Sequence, residues 1–256
     1  MPSAELGSVK SAMRVLDLFE YLRRWNAGQT HARIAAQLGI PKSSLTQLLK
    51  TLVCRGYLEY DPASKGYFLG PAVVALGQRS AETRDLVSIA EDVLADTAHA
   101  TRETCALNLL KGDVSEVVAT ASGSHRLHYT MRKGDTAPLY ATSGGKALLA
   151  HLPEEMRRDY LARVSFEKIT PRTIDTVPAL EAELAEIART GIAFVVEEFM
   201  PGIVGMARPI LGRSGFPLAA VNIALPIARY DAALKRRCLN ALEDAVLMLR
   251  ERAGLG

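Results

Sequence analysis

Apolar residues recur at helical spacing through the first fifty positions. Val9, Ala12, Met13, Leu16, Phe19 and Leu22 form one stripe behind Ser8, a hydroxyl suited to a cap, and predict a first helix of about four turns broken at Asn26-Ala27-Gly28. Thr30 then opens a short helix with Ile34, Ala35 and Leu38 inward and Gly39 at its end. Pro41 falls in the first turn of a third helix, Lys42 to about Cys54, which buries Leu45, Leu48, Leu49 and Leu52. Small Ala35 lets two helices cross closely, Gly39 turns the chain and the leucines fix the angle, which is the pattern of a helix-turn-helix. β-prone stretches at Tyr57 to Tyr60 and Tyr67 to Leu69 flank the turn from Asp61 to Gly66, with Lys65 at its tip, and complete a winged unit.

A second pattern follows. Pro71 to about His99 is helical, weakened at Gly77, and predicts a connecting helix, an expected dimer contact, followed by the first helix of a new domain. Strands are predicted at Thr104 to Leu110, Val114 to Thr120, Ala193 to Val196, Val204 to Ile210 and Leu218 to Leu225, and another at Arg126 to Met131, where Leu127, Tyr129 and Met131 alternate with Arg126, His128 and Thr130. Helices are predicted after Ser143, from Val177 to Thr190, and from Asp231 to Arg252. The expected fold class is α+β: an N-terminal winged helix-turn-helix, residues 1–70, a helical linker, 71–84, and a mixed α/β domain with a mainly antiparallel sheet, 85–256.

Composition adds bounds to this outline. The 256 residues, 48% hydrophobic and 23% charged, suffice for two domains with real cores. No apolar run reaches the roughly 20 residues of a membrane span, and MPSAELGSVK holds no apolar signal core, so the expected location is the cytoplasm. Cys54, Cys105 and Cys238 are odd in number and far apart, as reduced thiols would be, so neither a metal nor a cofactor is expected. Charge is uneven along the chain. Nine Lys or Arg stand against five acids through Gly70, a surplus of four, whereas 22 basic residues stand against 23 acidic ones afterwards. A basic module that meets a polyanion, joined to a neutral one, fits that division.

Candidate chemistry follows from these faces. With the leucines of the third helix inward, Lys42, Ser43, Ser44, Thr46, Gln47 and Lys50 point out: hydroxyls and an amide suit base edges, and the lysines suit phosphates, joined by Lys65, Arg14 and Arg55. Thr142-Ser143-Gly144-Gly145-Lys146 is a small-residue loop opening into a helix, where backbone N–H groups can approach an anion. Tyr140 and Ala147 exclude a nucleotide P-loop there. No catalytic constellation emerges. Cys105 reads as a buried thiol, His125 and His128 fall on opposite strand faces, and Glu197-Glu198 reads as a solvated turn.

Several blocks in order, Ser8-Val9-Lys10-Ser11-Ala12, Ile40-Pro41-Lys42-Ser43-Ser44, Leu48-Leu49-Lys50-Thr51-Leu52, Gly66-Tyr67-Phe68-Leu69-Gly70 and Gly145-Lys146-Ala147-Leu148-Leu149-Ala150, resemble the IclR family of bacterial transcriptional regulators. The resemblance extends through Gly191, Glu197-Glu198 and Gly202 and covers nearly the whole chain. It implies a winged DNA reader joined to a GAF-like effector domain, a double-stranded DNA operator and a small organic effector as partners, and assembly as a homodimer or dimer of dimers. Matched by position, effector contacts would fall at Tyr129, Ala137, Ser143, Gly144, Val195, Gly205, Asn222 and Ala224. Leu127, Met131, Leu139 and Thr142 join them from the reading of the loop and the alternating run, with Arg126 or Arg132 as a charge partner. Gln47 stands where the family often has arginine, which points to adenine as a base target. Val195, Gly205 and Ala224 replace positions that are polar in members sensing small acids, so an aromatic or medium-sized organic acid is expected. The alternatives are a ligand-independent architectural DNA binder and an enzyme fused to a DNA-binding domain.

Overall fold

A computed structural model describes residues 9–25 and 27–255. Ser8 and Asn26, read above as a helix cap and a helix break, lie outside them. The chain divides into two compact units, one ending at Gln78 and one beginning at Arg79.

The first unit contains α1 (Lys10–Leu22), β1 (Gln29–Thr30), α2 (His31–Leu38), α3 (Lys42–Cys54), β2 (Leu58–Asp61) and β3 (Gly66–Leu69). Its three strands pair antiparallel in the order β1-β3-β2. The Thr30 hydroxyl accepts the Arg33 N–H at the start of α2. Gly39 ends α2 in the left-handed region at φ 59°, a conformation that a side chain would strain. Ile34, Leu45, Leu49 and Leu52 form the core with Leu18, Tyr21 and Leu22 of α1.

Helix α1 corrects the expected stripe. Val9, Met13 and Leu16 are exposed; Leu22 is inside as expected and Phe19 partly so, and Leu18 and Tyr21 join them there. The helix carries two overlapping apolar stripes, and Tyr21 decides between them: its hydroxyl donates to the buried Gln29 Oε1 at 3.1 Å, which turns that face inward.

The boundary between units falls within α4 (Pro71–Thr101), one helix where two were expected. Gly77 does not break it, since an exposed mid-helix glycine costs only about 1 kcal/mol.

The second unit is built on six antiparallel strands in the order β6-β5-β4-β9-β8-β7: β4 (Thr104–Lys111), β5 (Val114–Ala121), β6 (Thr136–Pro138), β7 (Ala193–Val196), β8 (Ile203–Leu211) and β9 (Pro217–Pro226). One apolar layer joins the sheet to α4 residues from Leu86 onward and to α8 (Ala232–Arg252), through Leu234, Cys238, Leu242 and Leu249. A second layer joins it to α5 (Ser143–Ala150), α6 (Glu154–Arg163) and α7 (Val177–Thr190). Helix α5 is buried along its entire length, which its small and apolar residues permit.

The run from Arg126 to Met131 is not a strand. Arg229 Nη1 donates to the Leu127 carbonyl at 2.8 Å, so that carbonyl bonds to a side chain and not to a neighbouring strand. The expected opposition of His125 and His128 disappears with the strand. His128 Nδ1 instead lies 2.9 Å from the His125 carbonyl.

Candidate nucleic-acid face and ligand cavity

In the first unit, Lys42, Ser43, Ser44, Thr46, Gln47 and Lys50 are all exposed on α3, and Lys65 is exposed at the tip of the β2–β3 turn. Arg55, just past α3, is exposed, whereas Arg14 on α1 is only partly so. The Thr46 hydroxyl donates to the Lys42 carbonyl at 2.8 Å and lies 3.0 Å from His31 Nε2 of α2. Its donor is therefore committed to the backbone of its own helix.

In the second unit, the sheet and the first turn of α5 enclose a cavity of about 270 Å³. Ten of the twelve residues expected around an effector line it: Tyr129, Met131, Ala137, Thr142, Ser143, Gly144, Val195, Gly205, Asn222 and Ala224. Two do not. Leu127 is 68% exposed, because Arg229 holds its backbone and its side chain turns away from the protein. Leu139 is packed in the layer beneath α5. A Cβ on Gly145 would lie 2.6 Å from the Leu139 backbone, so helix and loop are in contact and the leucine is sealed off from the cavity. Gly205 permits the same closeness across the cavity wall, since a Cβ there would meet Ser143 Oγ at 2.8 Å.

Thr142 caps α5, its hydroxyl accepting the Gly145 N–H at 3.1 Å. Sequence reasoning found Thr142, Ser143 and Asn222 but missed the rest of the polar lining. Asn108 on β4, Ser115 on β5, Asp135 and Glu198 also face the cavity, which makes it more polar than Val195, Gly205 and Ala224 alone suggested. Leu107 and Asn108 of β4 pair with Ala119 and Val117, so Val118 is a bulge in β5 that turns Val117 and Ser115 to the cavity side, and no local pattern announces it. Arg126 and Arg132 are exposed and off the lining, and among the described residues no Lys, Arg or His contributes to it.

Glu198 also corrects the expected solvated turn. Its carboxylate accepts two hydrogen bonds from Lys146 Nζ at 2.7 and 2.9 Å, and Glu183 of α7 accepts a third at 2.7 Å. Lys146 is fully buried, so a cation in the second turn of α5 ties the helix to α7 and to the Glu197–Gly202 turn. Burial pushes the Glu198 carboxyl above the usual carboxylate range, against the pull of Lys146. Glu197 faces the other way, accepting the Gly202 N–H and pairing with Arg172 at 3.1 Å. Burial also raises the Cys105 thiol to about 12, leaving it a packed side chain with no nucleophilic character. Among the described residues, no group of three or more His, Cys, Asp or Glu could hold a metal ion, and no helix is long and apolar enough to cross a membrane.

Comparison with known proteins accords with both units. The signature of the IclR helix-turn-helix domain matches residues 11–62, and that of the bacterial transcriptional regulator IclR C-terminal domain matches residues 78–250. The HTH-type transcriptional regulator BhcR of Paracoccus denitrificans is 29% identical over 242 residues, 94% of this chain and 85% of that protein. A crystal structure from Silicibacter sp. TM1040, assigned as an IclR transcriptional regulator, superposes with a TM-score of 0.65 at 27% identity, covering 96% of this chain and 97% of that one. The inducer-binding domain of the PobR transcription factor from Acinetobacter, a double mutant in complex with 3-hydroxybenzoic acid, superposes with a TM-score of 0.59 at 25% identity over 64% of this chain and 96% of that one. With its winged DNA-binding unit and its C-terminal effector-binding unit, this chain belongs to the IclR family of bacterial transcriptional regulators and is not an enzyme.

Proposed function

We propose that the protein is a cytoplasmic regulator of a catabolic operon whose hold on its operator is set by an aromatic or medium-sized organic acid bound in the second unit. The observation that carries this reading is the cavity, lined by Ser143, Gly144 and Asn222 together with apolar Tyr129, Met131 and Val195. The acid's carboxylate meets the first N–H groups of α5, and its body packs on the apolar lining. The 3-hydroxybenzoic acid complex of the PobR domain supports an acid of this size.

On DNA, α3 enters the major groove with Gln47 on adenine, while Lys42, Lys50, Lys65, Arg14 and Arg55 meet phosphates. A homodimer or dimer of dimers sets two such helices about 34 Å apart, or a multiple of it, on a partly palindromic site. The effector changes operator affinity by binding more tightly to one of two conformations of the assembly.

Operator fragments selected from random DNA by the protein itself, followed by an effector screen on those fragments, test the proposal. The expected result is a palindromic site whose affinity changes with an organic acid, and a response abolished in Ser143→Trp with basal DNA binding kept. An unaltered response in Ser143→Trp places the effector elsewhere.

A further inference from the structure

Three buried, uncharged polar atoms of the cavity lining have no hydrogen-bond partner. Asn108 Oδ1, Ser115 Oγ and Asn222 Oδ1 make no hydrogen bond, and their residues are 6%, 2% and 7% exposed. Such atoms are rare in folded proteins, because each forfeits the solvation it had in water.

Strand register places the three on one line. Asn222 of β9 lies opposite Ala106 of β4, Asn108 follows two residues along β4, and Leu110, two further on, lies opposite Ser115 of β5. Steps of two keep a single face. The three side chains thus run diagonally across β9, β4 and β5 along the cavity floor, and all three line the cavity.

Their chemistry is selective. Amide oxygens accept, a serine hydroxyl donates and accepts, and no cationic side chain lies on the wall, which holds the carboxylates of Asp135 and Glu198. A ligand carboxylate laid on this strip would face two amide oxygens that accept and do not donate. A hydroxyl, which both donates and accepts, satisfies each of the three. Asn222 keeps this freedom, since its Nδ2 has only the weak acceptor Met131 Sδ at 3.4 Å.

We propose that Asn108, Ser115 and Asn222 form a hydroxyl-reading strip, so that the cavity selects a hydroxylated organic acid over the same acid without its hydroxyls. This rests on the reading of the cavity as an organic-acid site, with the carboxylate at α5 and the hydroxyls on the strip. A site built to pair a hydroxyl leaves its own groups unpaired when the hydroxyl is missing, which makes discrimination large.

The test uses the full-length protein and three matched pairs: benzoate and 3-hydroxybenzoate, hexanoate and gluconate, butyrate and 3-hydroxybutyrate. Calorimetry and thermal shift are expected to show at least one hydroxylated member binding ten-fold or more tightly than its partner. Asn108→Leu and Asn222→Leu should each close most of that gap while the ligand-free protein still melts in a single cooperative transition. Ser115→Ala, which removes a single atom, should narrow it too. Equal binding within the pairs, tighter binding of the unhydroxylated member, binding of no probe, or hexylamine binding more tightly than gluconate overturns the strip. Operator binding by the same variants separates the failures. If an organic acid still shifts operator affinity while the pairs are not distinguished, the strip alone falls; if no acid shifts it, the sensing function falls as well.

Discussion

Lys146 shows what a buried charge costs and what it secures. With Glu198 and Glu183 as its partners it is fully desolvated, and removing one member of such a group leaves the others charged and unpaired, typically a loss of about 3–5 kcal/mol. Lys146→Met is expected to lose that much in urea denaturation at pH 8. The loss should shrink toward pH 5. The Glu198 carboxyl already sits above its usual range, and without Lys146 it rises further, so falling pH neutralises it and relieves the penalty. The thiols give a second residue-level expectation. Cys105 and Cys238 are buried with their ionisation pushed up to about 12, and Cys54 is exposed, so a disulfide reagent at pH 8 should titrate one thiol in the native protein and all three after denaturation. The thiols were legible in the sequence because their apolar neighbours spoke for them. Asn108, Ser115 and the pairing of Lys146 with Glu198 were not, since each depends on residues that meet only across the folded sheet.

At the scale of elements, periodicity served best where one face alone was apolar. Helices α3, α7 and α8 and strands β4, β5, β7, β8 and β9 lie where their patterns put them, to within a residue or two. It also failed, and beyond the single long α4 two of the failures are instructive. In α1 two stripes competed, and a hydrogen bond from Tyr21 chose the less obvious one. Between β5 and β6, alternation without a neighbouring strand produced no strand, yet Tyr129 and Met131 still reached the cavity. The exposed face of α3 carries the next expectation, which rests on the proposed DNA contacts. Gln47→Ala should relax discrimination at one base pair by about 1–3 kcal/mol, whereas Lys50→Ala should weaken all sequences alike and lower the salt slope by about one, both readable from binding to a set of operator variants.

For the molecule as a whole, the charge division of the sequence matches the division into units, a basic first part and a nearly neutral second. Operator affinity is therefore expected to fall steeply with salt, with a log–log slope of about −4 or steeper if a dimer uses half of its candidate cations, and a salt titration by fluorescence anisotropy measures it. A flat titration would remove phosphate contact from the account. The order of strands has a further consequence. The central pair of the large sheet joins β4 to β9, so Thr104 finds its partner only at Ala224. The first unit closes among near neighbours in sequence, but the second must wait until almost the entire chain has left the ribosome. A message cut short before β9 would then release a compact first unit without the floor of its sensor: a chain deaf to its signal.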